Sequence, residues 1–148
     1  MSSVVVADSS CLIGLSKIGK LHVLQDLFGQ ILIPTAVHYE TVTRGKGRLG
    51  ALEIAQAEWI LPVAITDHLT LRTLKLTLGA GESEAIVLAS EKAADIIVLD
   101  DWQARRVALG LGLPVVGTVA ILDRAVEKGF LADLTASLEE LRRAGFRF

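Results

Sequence analysis

Two short apolar runs in this chain each end on acid. Ser3-Val4-Val5-Val6-Ala7 runs into Asp8, and Ile96-Ile97-Val98-Leu99 runs into Asp100-Asp101. Each run is too short for an ordinary helix and is rich in β-branched residues, so each reads as a buried parallel strand. Ligands of open α/β sheets gather outside the carboxyl ends of the strands. Acids far apart in sequence are therefore delivered to one edge of one sheet. Carboxylates held together repel, and a hard divalent cation with oxygen ligands relieves the repulsion. The first chemistry these residues suggest is a magnesium or manganese site.

Each acid also has a plainer reading. Asp8, followed by Ser9-Ser10, stands where strand becomes helix and is suited to cap that helix. Asp100 and Asp101 repeat the arrangement, and a cap needs only one of them. Neighbours at a strand end diverge, so one of the two faces the cleft; Asp101 is the expected inward residue, with Asp100 supporting the turn or facing solvent. Glu82 and Glu84 lie in Gly81-Glu82-Ser83-Glu84-Ala85-Ile86-Val87-Leu88-Ala89. From Ala85 onward this stretch is apolar all round, which predicts a buried helix. Glu82 reads as an ordinary helix-start acid, favoured by the helix dipole. Glu84 abuts the buried run and is the better ligand candidate. Glu40, in Val37-His38-Tyr39-Glu40, reads from spacing alone as a solvated surface acid.

The elements that must position these acids alternate along the chain. Strands are predicted at 3–7, 31–33, 59–63, 95–99 and 114–116, the third interrupted by Pro62 and so marginal or at an edge. Helices are predicted at 9–18, 20–28, from Pro34 to about Val42, at 49–58 (apolar face Leu49, Leu52, Ile54 and Ala55), and at 67–77, 81–92, 101–110, 119–128 and about 132–143. Between Thr43 and Gly50 lies a flexible basic loop holding Arg44, Lys46 and Arg48. The order predicts one domain over residues 1–148. Its fold class is α/β: a three-layer α/β/α sandwich on a short, mostly parallel central sheet.

Composition narrows the function classes. Hydrophobic residues make up 51% and aromatics 5%, which suits helices layered on a parallel sheet. A net charge of -2 advertises no polyanion partner, so any nucleic-acid binding must use a local basic rim. Cys11 is the only cysteine, which leaves no thiolate metal cluster and reads as a small core residue. No leader with a cleavage site and no long apolar run is apparent, so the expected setting is soluble and cytoplasmic, with no membrane. His22, His38 and His68 form no zinc-hydrolase pattern. Gly79-Ala80-Gly81 follows a helix and meets Glu84 where a third glycine belongs, so it is no dinucleotide loop. Neither a phosphate loop nor a Gly-x-Ser-x-Gly elbow occurs. A receiver domain would want an acid pair after strand one and a lysine after the last strand, and an Asp-x-Asp phosphatase would want Asp where Ser10 stands.

With these residues laid out, the chain resembles PIN domains, the nuclease fold of the VapC toxins, and within them a branch of short stand-alone proteins. The resemblance runs nearly end to end. It is carried by Val4 to Ser10, by Leu12-Ile13-Gly14-Leu15-Ser16-Lys17-Ile18-Gly19-Lys20-Leu21, and by Ile33-Pro34 through Glu40. It continues through Gly81 to Ile86, Val98 to Asp101 with Arg105-Arg106, Gly117-Thr118, and Leu141 to Phe146. The resemblance implies an α/β/α sandwich and RNA cleavage that depends on Mg2+ or Mn2+. It carries the family's acids onto Asp8, Glu40, Glu84 and Asp101, with Asp100 as neighbour and Ser9 or Thr118 as a supporting hydroxyl. Leu99-Asp100-Asp101 departs from the Thr-x-Asp pattern of many VapC members.

The expected activity is therefore that of a metal-dependent ribonuclease, in the finer reading the toxin of a toxin-antitoxin pair. Asp8 and Asp101 would be central metal ligands, while Glu40 and Glu84 would complete the site or position water. Arg44, Lys46 and Arg48 follow Glu40, and Arg105 and Arg106 follow Asp101; these are the candidate RNA-binding cations, or else a solvated face. RNA, a cognate antitoxin and a second copy of the chain are the expected partners. The alternative is a non-catalytic PIN-fold module that binds nucleic acid or a partner.

Overall fold

In the computed structural model of the chain, residues 3–48 and 50–148 are described. Five strands, β1 (Val5–Ala7), β2 (Ile31–Pro34), β3 (Ile60–Val63), β4 (Ile96–Val98) and β5 (Val115–Val116), form one sheet in the order β3-β2-β1-β4-β5. Every neighbouring pair is parallel, so the expected mostly parallel sheet is wholly parallel among the described residues. Residues alternate between two buried faces. Val5, Ala7 and Val98 pack with Leu12, Leu15, Leu24 and Leu122 on one side. Val6, Ile97 and Leu99 pack with Ile86, Leu88, Ala104 and Ala108 on the other. Burial on both faces is why the strands read as continuous apolar runs rather than as alternating ones.

The helices that form the two layers follow from these clusters. α1 (Ser9–Lys17), α2 (His22–Phe28), α8 (Thr118–Glu127) and α9 (Leu134–Arg143) cover the first face. α5 (His68–Leu74), α6 (Ala80–Glu91) and α7 (Trp102–Gly110) cover the second. α3 (Thr35–His38) follows β2, and α4 (Ala51–Gln56) precedes β3. The apolar faces of α1 and α2 are buried in this chain's own core. β3 pairs only with β2, so Pro62 lies on an edge strand, where its missing N–H costs no ladder bond.

One helix differs from expectation. The predicted helix from Pro34 to Val42 is α-helical only to His38 and then widens into a π-helical turn over Tyr39–Thr43. The Arg44 N–H reaches back to the Tyr39 carbonyl at 2.8 Å, while the Thr41 hydroxyl donates to the Val37 carbonyl at 2.8 Å. A threonine hydroxyl bonded to the carbonyl four residues back loosens the regular ladder. π-turns gather at functional sites, and this one contains Glu40. The expected helix at 49–58 is shorter, and its Leu49 lies outside the described residues. No helix is long and apolar enough to cross a membrane among the described residues.

Candidate metal centre

The chain runs from β1 outward to β2 and β3, then crosses back to place β4 on the other side of β1. The gap between β1 and β4 is thus the point where strand order reverses, the place where α/β sheets bind ligands. Asp8 stands at its lip: its N–H donates to the Val98 carbonyl at 3.2 Å, continuing the ladder by one residue. Its side chain makes no cap bond, although it occupies the N-cap position of α1. Asp8 is only 4% exposed.

Asp8 gathers three further carboxylates. Burial pushes its carboxyl up to about 7, and the nearby charges of Glu82, Glu40 and Asp100 push in the same direction; only the Ser9 backbone N–H opposes them. Glu40 is brought in by the π-turn, and its Oε1 accepts from the Ser9 hydroxyl at 3.3 Å. Asp100 is fixed by Thr118, whose N–H and hydroxyl donate to it at 2.8 and 2.6 Å. Glu82, in the first turn of α6, is half-buried; desolvation raises its carboxyl above the ordinary range, with further contributions from Asp101 and Glu40.

Two of the acids singled out by sequence sit differently from expectation. Glu84 accepts the Ala36 N–H at 3.1 Å and so fastens the start of α3. Glu82 and Glu84 are two residues apart, about 200° around the helix, so they cannot address the same point. Asp101 is exposed at the rim and caps α7 by accepting the Ala104 N–H at 2.9 Å, while Asp100 turns toward Asp8. Both acids line the same cavity as Ser9 and Glu82; Asp100 acts on Asp8, while Asp101 acts on Glu82 and caps α7, which begins one residue later than expected. Glu82, read from the sequence as a helix-start acid, does accept the Gly79 N–H at 3.3 Å, and its charge also acts on Asp8.

Gly81 explains how the acids come so close. A Cβ at this position would collide with Oε1 of Glu40, lie 3.0 Å from its Cδ and stand 3.3 Å from Oδ1 of Asp8. The missing side chain is the space into which two carboxylates lean. Gly81→Ala suits the helix slightly better as a residue, yet it must displace Glu40. It is expected to weaken divalent-metal binding about tenfold or more and to change unfolding free energy by no more than about 1 kcal/mol. Manganese titration calorimetry with urea unfolding tests this; unchanged affinity would remove Gly81 from the site.

The donor set suits a hard cation, since every donor is a carboxylate or hydroxyl oxygen. Among the described residues no three His, Cys, Asp or Glu side chains form a ready-made metal cage. Magnesium does not require one, because it is held by one or two carboxylates and keeps several waters. Of the candidate cations, Arg105 is half-buried and donates to the Leu99 carbonyl at 2.9 Å, tying α7 to the end of β4. Arg44, Lys46, Arg48 and Arg106 are exposed. Cys11 is buried, and its thiol is pushed up by desolvation.

A family model described as a PIN domain (DUF3368) matches residues 4–148. The chain belongs to the PIN-domain family. PIN domains are generally nucleases and usually use divalent metals. The PIN chain is also similar to a solved structure, a PilT N-terminus domain protein of the hyperthermophilic archaeon Sulfolobus solfataricus. The two are 19% identical with a TM-score of 0.57, over 83% of this chain and 93% of that one, a likeness of fold. None of the curated proteins compared with this PIN domain matches it.

Proposed function

We propose that this PIN domain is a metal-dependent ribonuclease that hydrolyses RNA phosphodiester bonds with Mg2+ or Mn2+. The observation that carries the reading is the buried Asp8 carboxylate, on which only other carboxylates act as charges. Such a group is only partly ionised at neutral pH, and a cation beside it would favour its charged form. Asp8, Glu40, Glu82 and Asp100 are the proposed ligands, with Asp101 at the rim. Ser9 holds Glu40, and Thr118 holds Asp100. Glu84 serves the site indirectly, through the start of α3.

A divalent ion bound here would supply charge to the scissile phosphate and lower the pKa of water. The residues themselves do the positioning. Asp8 is fixed by the sheet, Asp100 by two bonds from Thr118, and Glu40 by Ser9 and by the space at Gly81. No protein nucleophile is needed. The exposed loop of Arg44, Lys46 and Arg48 would meet the RNA backbone. A toxin role is the finer form of the proposal, and it requires an antitoxin that closes the acidic cleft.

RNA cleavage by the wild type in Mg2+ or Mn2+, and its loss in EDTA and in Asp8→Asn, is the expected result. Equal cleavage by wild type and Asp8→Asn would reject the site. No cleavage of varied RNAs together with no metal binding would favour a non-catalytic binding module.

A further inference from the structure

Beside the carboxylates lies a surface of a different kind. Trp102, directly after Asp101, is 72% exposed, although it opens α7 next to the acidic cleft. Phe148 is 61% exposed. Both line two adjoining cavities of about 580 and 660 Å3 that share Asp100 as a wall. Glu82, Asp100 and Asp101 line the first of these cavities together with the two rings, so the rings stand directly beside the acids.

Local structure holds these rings in place. α9 ends in a left-handed Gly145 (φ +94°), with Gly145 N–H on the Arg142 carbonyl and Phe146 N–H on the Leu141 carbonyl, both at 3.0 Å. This Schellman closure turns the chain back toward α1. There the Phe146 ring packs against bare Gly14, where a Cβ would lie 2.9 Å from it. Phe146 in turn meets Phe148 edge to face at 5.4 Å. Arginines sit against the exposed rings: Arg106 stands 5.7 Å from the Trp102 ring centre, and Arg142 stands 5.9 Å from that of Phe148. Arg147 lines both cavities.

We infer that Trp102 and Phe148 form a stacking shelf for unpaired nucleotide bases flanking the scissile phosphate. The inference rests on the nuclease reading of the adjoining acids and names the part of the substrate that this surface recognises. Charge complementarity selects the occupant. An apolar face rimmed by arginines accepts a flat, neutral ring attached to an anionic backbone, and base stacking on aromatic side chains is the common means of holding single strands. A duplex keeps its bases stacked on one another and cannot offer them to the shelf.

The test uses the full chain carrying Trp59→Phe, so that Trp102 is the sole tryptophan reporter, with calcium in place of magnesium. A short oligoadenylate, an abasic strand of the same length and a duplex are titrated, and cleavage of the oligoadenylate in magnesium is measured in parallel. The oligoadenylate is expected to quench Trp102 fluorescence and to bind about tenfold more tightly than the abasic strand. Trp102→Ala should abolish that preference, while Trp102→Phe should keep it, measured by anisotropy of labelled strands. Equal affinity for base-bearing and abasic strands would overturn the shelf, as would equal weakening of both by Trp102→Ala. Quenching by no strand would also overturn it and assign the surface to a protein partner. Cleavage without base preference removes the shelf and leaves the nuclease; base preference without cleavage does the reverse.

Discussion

Asp8→Asn is expected to make the metal-free protein more stable at about pH 8, by about 2–4 kcal/mol, while removing metal-dependent cleavage. The sign follows from proton binding. An unfolded aspartate titrates near 3.9, about the ordinary value, whereas folded Asp8 titrates at about 7. Between those values the folded state binds more protons than the unfolded one, so stability falls as pH rises through the window. Above about pH 7 the full cost of a buried carboxylate among carboxylates is present, and below about pH 4 it is absent. Asparagine keeps the shape without the charge. Urea unfolding in EDTA should therefore show variant and wild type nearly equal at about pH 4 and well separated at about pH 8. A variant less stable than wild type at pH 8, or a difference independent of pH, would contradict the account of Asp8. Saturating Mg2+ should return roughly 3 kcal/mol to the wild type at a hundred times its Kd and little to Asp8→Asn. The same residue would then cost stability without metal and confer function with it, a trade typical of active sites.

The fold was legible because its signals are local. Val4 to Ala7 and Ile96 to Leu99 are apolar at every position since both sheet faces are covered, and Pro62 marks an edge because a central strand cannot spare an N–H. Asp8 was legible for the same reason, as the residue that must follow a central strand. The remaining site residues depend on phase. Asp100 and Asp101 are adjacent, and how they divide their roles depends on where α7 starts; the N-cap bond from Ala104 makes Asp101 the cap. Glu40 depends on a π-turn that no apolar period announces. Gly81 looks like a loop glycine, although its role is to leave room for Glu40 and Asp8. Glu82 was legible as a helix-start acid, and its Oε1 does accept the Gly79 N–H at 3.3 Å; that its charge also acts on Asp8 depends on how α6 packs against β1.

Glu82 and Glu84 supply the sharpest test of that phase argument. Glu82 stands within reach of the charges of Asp101 and Glu40, and it acts on Asp8. Glu84 is bound to the Ala36 N–H across from α6. Glu82→Gln preserves size and helix propensity and removes only the charge. It is expected to lower RNA cleavage about 100-fold and to weaken Mn2+ binding roughly tenfold or more, with unfolding free energy unchanged or raised, since its carboxyl is disfavoured by burial. Glu84→Gln retains an oxygen for the Ala36 N–H and should leave cleavage within a few-fold of wild type. Glu84→Ala should lose about 1 kcal/mol of stability, because the first turn of α3 is left with an unpaired donor. Single-turnover cleavage together with manganese titration separates the outcomes. If Glu84→Gln is the more damaging of the two glutamine variants, Glu84 rather than Glu82 is the ligand. If both are inert, the cation is held by Asp8, Glu40 and Asp100 alone.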